Sequence, residues 1–204
     1  SIIIKTRPWK KEDAQYWSQF GITRLQLKED EVYPLKEVYI NSRRICTNKD
    51  ELFYAYRYDN GFKIYFPFRR KEDKWKSNIP TSTVEGLKML RELNPSRVII
   101  TKSKKDKLCL SNIFPYVLST QNESIACFTE EFVEELKGRE VFIAFDSDLP
   151  GKRSSIQICN MLQCRHLNTP DIYYTRDKIK DWSELRYKYG EEAIREHFIK
   201  KGII

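Results

Sequence analysis

The chain has 204 residues, 40% of them apolar and 13% aromatic, with 32% charged and a net charge of +8. That length suits one large domain or two small ones, and the apolar fraction supplies a packed core, which excludes a disordered chain. No apolar run nears the ~20 residues of a membrane helix, no signal peptide is visible, and five cysteines without a CxxC beside two unclustered histidines exclude a disulfide framework and a zinc site. Cys46, Cys109, Cys127, Cys159 and Cys164 read as small core residues in a reducing compartment, and His166 and His197 as structural or surface groups. No membrane partner and a cytoplasmic location are expected. The opening "SIIIKTRPW" reads as a start inside a longer chain.

In chain order, "KKEDAQYWSQFG" has helical spacing, closed by Gly21. "RLQLKEDEVYPLKEVYIN" breaks at short intervals and suggests strands. "DELFYAYRYDNGFKIYFPFRR" is the clearest hairpin, turning at Asp59-Asn60-Gly61. Its second run sends Phe62, Ile64, Phe66 and Phe68 to an apolar face and Lys63 and Tyr65 to the other. "KEDKWKSNIP" follows as a basic, aromatic loop or edge strand. Most of the positive excess lies before Leu93, which suggests a polyanion-binding surface, with a solvated basic surface as the plain alternative.

Beyond about residue 82 the pattern changes. "TVEGLKMLREL" reads as a helix, "SRVIIT" as a strand, "KKDKLCLSNIF" as a helix and "YVLST" as a strand. "TEEFVEELKG" is a helix with Thr129 as N-cap. "EVFIAFD" is a strand, "SSIQICNMLQC" a helix and "DIYYT" a strand. "WSELRYKYG" and "EEAIREHFIKKG" end the chain as helices. Strands alternating with helices across short connections predict a parallel sheet with helical crossovers. The expected division is a smaller mixed α+β basic subdomain over residues 1–92 and an α/β subdomain over 93–204, with the boundary falling between about 80 and 93.

Ligands of parallel α/β sheets gather at the carboxyl ends of the strands. Asp146 and Asp148 stand at the end of the most apolar strand, and two carboxylates aimed at one point repel unless a cation neutralises them. Mg²⁺ fits, because it takes carboxylate oxygens and binds substrate phosphates. Pro150 and Gly151 then open a helix that carries Lys152 and Arg153. Asp181 adds a third carboxylate after the next strand, and with Glu184 it also reads as a capping box. A turn-initiating Asp146 followed by a capping Asp148 is the equally simple reading of the pair.

"FDSDLPG" resembles the DxDxxG motif of the Toprim fold, and "IKDWSEL" that fold's later acidic loop. "VIITKSKKDKLCL" has the shape of its opening strand-turn-helix, which carries EGxxDAL, with Asp106 at the motif's Asp. The likeness covers roughly residues 93–190. "GFKIYFP" and "DKWKSNI" resemble the segment that precedes Toprim in primases. The whole chain is similar to the catalytic core of a bacterial-type DNA primase, most like those of phages. The resemblance implies a Toprim-type parallel sheet flanked by helices and a nucleotidyltransferase that makes RNA primers on single-stranded DNA from ribonucleoside triphosphates, with a replicative helicase as a possible further partner. A phage-encoded protein of this kind would work in the cytoplasm of its bacterial host.

The same resemblance gives Asp146, Asp148 and Asp181 as ligands of Mg²⁺ or Mn²⁺, with Asp106 as a further ligand or an orienting carboxylate. Lys102, Lys104, Lys105 and Lys152 are the expected triphosphate contacts. Lys63, Tyr65, Arg69, Arg70, Lys74, Trp75, Lys76 and Asn78 are the expected template contacts, cations tracking phosphates and rings stacking bases. One position departs from the motif. Lys102 stands where the family has its glutamate, and Ser103 where it has glycine. Either the site has lapsed into binding without reaction, or a carboxylate arrives from elsewhere. Glu123, just after the neighbouring strand, is the expected substitute. A Toprim-type nuclease and a non-catalytic nucleic-acid-binding protein are the rival readings.

Overall fold

The computed structural model describes residues 1–204 and divides them into two units, Ser1–Pro80 and Thr81–Ile204. The division falls at the amino-terminal edge of the expected range. The helix of residues 87–93, assigned by sequence to the first subdomain, belongs to the second.

In the first unit the elements are β1 (Ile2–Thr6), α1 (Lys11–Ser18), α2 (Arg24–Glu29), β2 (Val32–Ile40), β3 (Arg43–Arg44), β4 (Tyr54–Tyr58), β5 (Gly61–Tyr65) and β6 (Trp75–Ser77). They form an antiparallel sheet in the order β1-β2-β4-β5-β6, with β3 paired to β2. α1 begins where Asp13 accepts the Lys10 amide at 2.7 Å and a forked pair from Arg7 at 2.6 and 2.8 Å. The expected hairpin forms, from Tyr54↔Tyr65 to Tyr58↔Gly61. Gly61 has a positive φ, and a Cβ there would meet the Asn78 Oδ1 atom at 2.4 Å. Ile64 and Phe66 are buried, as their alternation requires, but Phe68 lies beyond the strand and is 70% exposed.

One correction concerns "RLQLKE", which is helix rather than strand. Thr23 caps it and exchanges hydrogen bonds with Gln26 in a capping box, which satisfies two donors that an extended strand would leave open. Leu25 and Leu27 mimic strand alternation, yet only Leu27 is buried.

The second unit runs α3 (Leu87–Leu93), β7 (Arg97–Thr101), α4 (Lys104–Ser111), β8 (Val117–Ser119), a short 3₁₀ turn at Ile125–Cys127, α5 (Glu130–Leu136) and β9 (Glu140–Ile143). It continues with α6 (Leu149–Leu162), β10 (Arg165–His166), α7 (Asp171–Asp177), α8 (Trp182–Tyr189) and α9 (Glu191–Lys200). The sheet is wholly parallel, in the order β10-β9-β7-β8. Alternate residues of its strands feed two cores. Ile99 and Phe142 face α4, α8 and α9, through Leu110, Leu185 and Phe198. Val98, Ile100, Val141 and Ile143 face α3, α5 and α6, through Leu90, Phe132 and Ile158. Each fully buried apolar side chain contributes about 1.5–3 kcal/mol.

A second correction is "DIYYT", which forms α7. The fourth strand is the short β10, paired to β9 only at Arg165↔Phe142 and His166↔Ile143. Pro170 begins the helix at a position where its missing amide costs nothing. α7 buries no residue, so no packing signal marked it. The five cysteines are free; Cys109, Cys127 and Cys159 are buried, Cys164 is half-buried, and Cys46 is exposed rather than in the core.

Candidate functional site

The chain leaves β7 for β8 on one side and reaches β9 on the other, so the carboxyl ends of β7 and β9 flank a point where the strand order reverses. Such a switch point leaves a crevice beyond the strand ends. Lys102 directly follows β7, and Asp146 stands three residues after the end of β9.

Asp148 caps α6, accepting the Gly151 amide at 3.0 Å. The glycine is required by close approach, because a Cβ at Gly151 would lie 2.4 Å from the Asp146 carbonyl oxygen. The spacing of Asp146, Asp148 and Gly151 is thus a packing demand as well as a chemical one. Asp146 is only 2% exposed. Its Oδ2 takes the Lys102 ammonium in a short hydrogen bond and lies 3.3 Å from the Lys180 ammonium. Lys180 also donates to Asp148 Oδ2 at 2.9 Å. The Asp146 amide donates to Glu123 Oε1 at 3.1 Å, and Glu123 stands 3.7 Å from the Lys102 ammonium.

Asp106 and Asp181 complete the cluster from α4 and α8. Asp106 accepts the Ser183 amide at 2.9 Å and the Ser103 hydroxyl at 3.1 Å, which pins the start of α4 to the start of α8. Asp181 caps α8, accepting the Glu184 amide at 2.8 Å and the Ser183 hydroxyl at 3.0 Å. Both carboxylates are therefore hydrogen-bonded within the fold, and their charges still act on Asp146.

The electrostatics follow from that crowding. Burial pushes the Asp146 carboxyl up to about 7 despite the Lys102 ammonium, with Asp181 and Asp106 adding to the rise. Burial and the charge of Asp181 push Asp106 up to about 6. Burial works against the charge of Asp148, but the Gly151 amide and Lys180 hold it below the ordinary carboxylate range. Burial also works against the charges of Lys180 and Lys102. For Lys180 it is outweighed by Asp148 and Asp146, and for Lys102 by Asp146 and Glu123, so both ammonium groups rise in pKa.

Lys102, Asp106, Glu123, Asp146, Asp148 and Asp181 thus share one interaction network. Two of the expected triphosphate contacts do not join it. Lys104 is buried in an ion pair with Glu85 at 3.1 Å, which corrects the expectation that it meets a ligand. Lys152 pairs with Asp171 at 2.6 Å. Lys105 lies close enough to Asp106 to oppose the rise in its pKa. Sequence reasoning missed Lys180, whose only sign was its place directly before Asp181.

For a metal, the donor set has the right chemistry, since carboxylate oxygens suit Mg²⁺ or Mn²⁺. Asp146 and Asp148 converge on one cationic point, which the Lys180 ammonium fills. No three His, Cys, Asp or Glu side chains are grouped so as to hold a metal ion.

In the first unit, three expected template contacts are committed to the fold. Tyr65 is 3% exposed, its hydroxyl 2.6 Å from that of Tyr16, so it cannot stack a base. Arg69 forks onto Glu51 at 2.6 and 2.8 Å and lies over Phe66. Asn78 accepts the Phe62 amide at 2.8 Å and so fastens the hairpin. Trp75 is half-buried, stacked on Tyr65 with centroids 4.3 Å apart, and Lys63 lies over its ring. Lys76 reaches Asp73 at 3.6 Å, Lys74 is half-buried, and Arg70 is exposed. Arg70, Lys49 and the exposed Phe68 line an open cavity of about 960 Å³. Phe68 had read as core because it continues the strand's alternation past its last paired residue.

No family model matches the chain, and no curated protein matches it. Solved structures do. A chain of the bacteriophage T7 lagging-strand DNA polymerase assembly, which contains primase domains bound to an RNA/DNA hybrid and dTTP, aligns at a TM-score of 0.58 and 14% identity, over 96% of this chain and 91% of that one. The Aquifex aeolicus primase, comprising zinc-binding and RNA polymerase domains, aligns at a TM-score of 0.62 and 14% identity, over 94% of this chain. This chain spans 56% of the length of the Aquifex chain. The fold of the chain is the one found in these primase structures.

Proposed function

We infer that the chain is the catalytic core of a DNA primase with a Toprim-type site, a nucleotidyltransferase that makes short RNA primers on single-stranded DNA. The observation that carries this reading is the convergence of Asp146 and Asp148 on one cationic point at the strand-order reversal. The likeness in fold to primase structures supports it.

Asp146 and Asp148, with Asp181, would hold Mg²⁺ or Mn²⁺, which when bound lowers the pKa of the attacking 3′ hydroxyl and neutralises charge on the departing pyrophosphate. The chain's own residues supply the rest. Asp106 fixes α4 against α8 and so fixes the position of Asp181. Glu123 orients the Asp146 backbone and shares the Lys102 ammonium. Lys102 puts a positive charge where an anionic triphosphate would enter. Arg70, Lys63, Lys74, Lys76 and the ring of Trp75 are the template contacts that the fold leaves in reach of solvent.

The test is incubation with single-stranded DNA, labelled ribonucleotides and Mg²⁺ or Mn²⁺, beside an Asp146→Ala control. Short labelled oligonucleotides that vanish in the control are expected. Metal-dependent loss of the DNA itself would instead mark a nuclease. A second reading, a nucleic-acid-binding protein whose site has lapsed, is favoured by the hold of Lys102 on Asp146, and bound DNA with no chemistry under either ion would establish it.

A further inference from the structure

Lys180 is the residue immediately before the cap of α8. Its backbone is held at two points, because its carbonyl accepts the Ser147 amide at 2.9 Å and the Thr169 hydroxyl at 2.7 Å. Its side chain is held only by carboxylates. The ammonium lies 2.9 Å from Asp148 Oδ2 and 3.3 Å from Asp146 Oδ2, and the side chain is 38% exposed. One flexible, solvent-reaching group therefore stands at the point on which two carboxylates converge.

A lysine in that position carries one positive charge on a mobile four-carbon stem. A divalent ion in the same place offers both carboxylates twice the charge and direct coordination. The backbone need not move for the exchange, since the two hydrogen bonds to the Lys180 carbonyl are independent of the side chain. Lys102 differs. Its side chain is 25% exposed and lies between Asp146 and Glu123, so it keeps a carboxylate partner when Asp146 turns toward another cation.

We propose that Lys180 is an exchangeable internal cation, which fills the position between Asp146 and Asp148 in the metal-free chain and, once a divalent ion displaces it, takes the phosphates of the incoming nucleoside triphosphate. This rests on the reading of the acidic cluster as a metal-dependent nucleotidyltransfer site. It sets an order, metal before nucleotide, because the ammonium is engaged until the ion arrives. It also gives Lys180 opposite effects on the two ligands: it competes with the metal and assists the triphosphate.

The first measurement needs no variant. Reductive methylation of the wild-type chain, read peptide by peptide by mass spectrometry, reports how free each lysine is. Adding Mg²⁺ is expected to raise the rate at Lys180 at least fivefold and leave Lys102 unchanged. ATP added to the Mg²⁺-loaded chain is expected to lower the Lys180 rate again. The second measurement is Mn²⁺ binding, followed by the magnetic resonance signal of the free ion. Lys180→Met is expected to bind Mn²⁺ at least tenfold more tightly than wild type, with thermal unfolding confirming that the variant folds.

A Lys180 rate indifferent to a bound ion, or equal or weaker Mn²⁺ binding by Lys180→Met, overturns the exchange. A rate that stays high with ATP overturns the phosphate role. Failure of both wild type and Lys180→Met to bind Mn²⁺, or unchanged binding by Asp146→Ala, removes the metal-site reading as well.

Discussion

The Glu123 carboxylate accepts the backbone amide of Asp146 at 3.1 Å, joining the loop after β8 to the end of β9. The contact brings a carboxylate to the cluster beside Lys102, whose ammonium lies 3.7 Å away. Glu123→Gln keeps an oxygen for the amide and removes the charge. If Glu123 supplies the missing carboxylate, the variant loses at least tenfold in primer synthesis and in Mn²⁺ affinity, with its urea midpoint little changed. Activity and affinity equal to wild type would sink that role.

Gly151 is the position where the site is most sensitive to volume. A methyl group there meets the Asp146 carbonyl, and the contact is backbone, which cannot turn aside. Gly151→Ala is expected to destabilise the chain by about 1–3 kcal/mol, as read from urea unfolding. It should also weaken Mn²⁺ binding by displacing Asp146, while Gly138→Ala, with open space around it, leaves Mn²⁺ binding unchanged.

The pair of Lys104 and Glu85 is structural. Lys104→Met removes one partner of a buried ion pair, which costs about 3–5 kcal/mol. Urea unfolding should show that loss. Nucleotide affinity, measured under conditions where the variant is folded, should match wild type.

The face of the first unit separates packing from binding. Trp75→Ala is expected to weaken single-stranded DNA binding by about 1–3 kcal/mol, the usual worth of a stacked base. Tyr65→Phe removes only the hydroxyl that meets Tyr16, at about 1 kcal/mol of stability, and should leave DNA affinity unchanged. Arg70→Ala should shallow the salt dependence of binding, as expected for a cation facing phosphate. Titration of a labelled oligonucleotide at several salt concentrations distinguishes the three.

His197 makes one contribution to the pH dependence of stability, opposite in sign to those of Asp146 and Asp106, whose raised carboxyls favour the folded chain as pH falls. Burial pushes its imidazole down to about 4, helped by nearby Lys201, and its Nε2 has no hydrogen-bond partner. The unfolded chain therefore binds a proton near the ordinary histidine value of about 6.5 that the folded chain refuses until about pH 4. Its contribution to stability is full above about 6.5 and is lost as pH falls toward 4. Urea unfolding from pH 7.5 to 4.5 should show wild type losing stability relative to His197→Gln.

The parallel sheet was legible because its strands are buried on both faces and read as unbroken apolar runs, ending at "EVFIAFD" in the carboxylates themselves. The hairpin was legible from its turn. What was missed had local signals that conflicted. "RLQLKE" alternates like a strand, and only the capping exchange between Thr23 and Gln26 betrays a helix. "DIYYT" has strand composition, but edge pairing with β9 had already ended at His166. At the site, Asp146, Asp148 and Glu123 were visible from their places after strands, whereas Asp106 and Asp181 were visible from the motifs they resemble, Asp106 lying within α4 and Asp181 following a helix rather than the expected strand. Lys180 was not, because charge compensation between residues 32 and 34 positions apart depends on how loops fold back. Tyr65 and Arg69 looked like nucleic-acid contacts because composition cannot tell a ring or a cation facing solvent from one facing Tyr16 or Glu51.

Thr169 carries no charge and belongs to no helix or strand. Its hydroxyl reaches both the Lys180 carbonyl and the Ser147 side chain, and it is buried. It ties the loop of the two aspartates to the loop that delivers the third. Exchange of this one hydroxyl for a methyl, as in Thr169→Val, would remove its bonds to Lys180 and Ser147 and leave the Ser147 amide on the Lys180 carbonyl to tie two walls of the acidic cluster, with no charged residue altered. A screen for lost function would then return a position that no inventory of acids and bases contains.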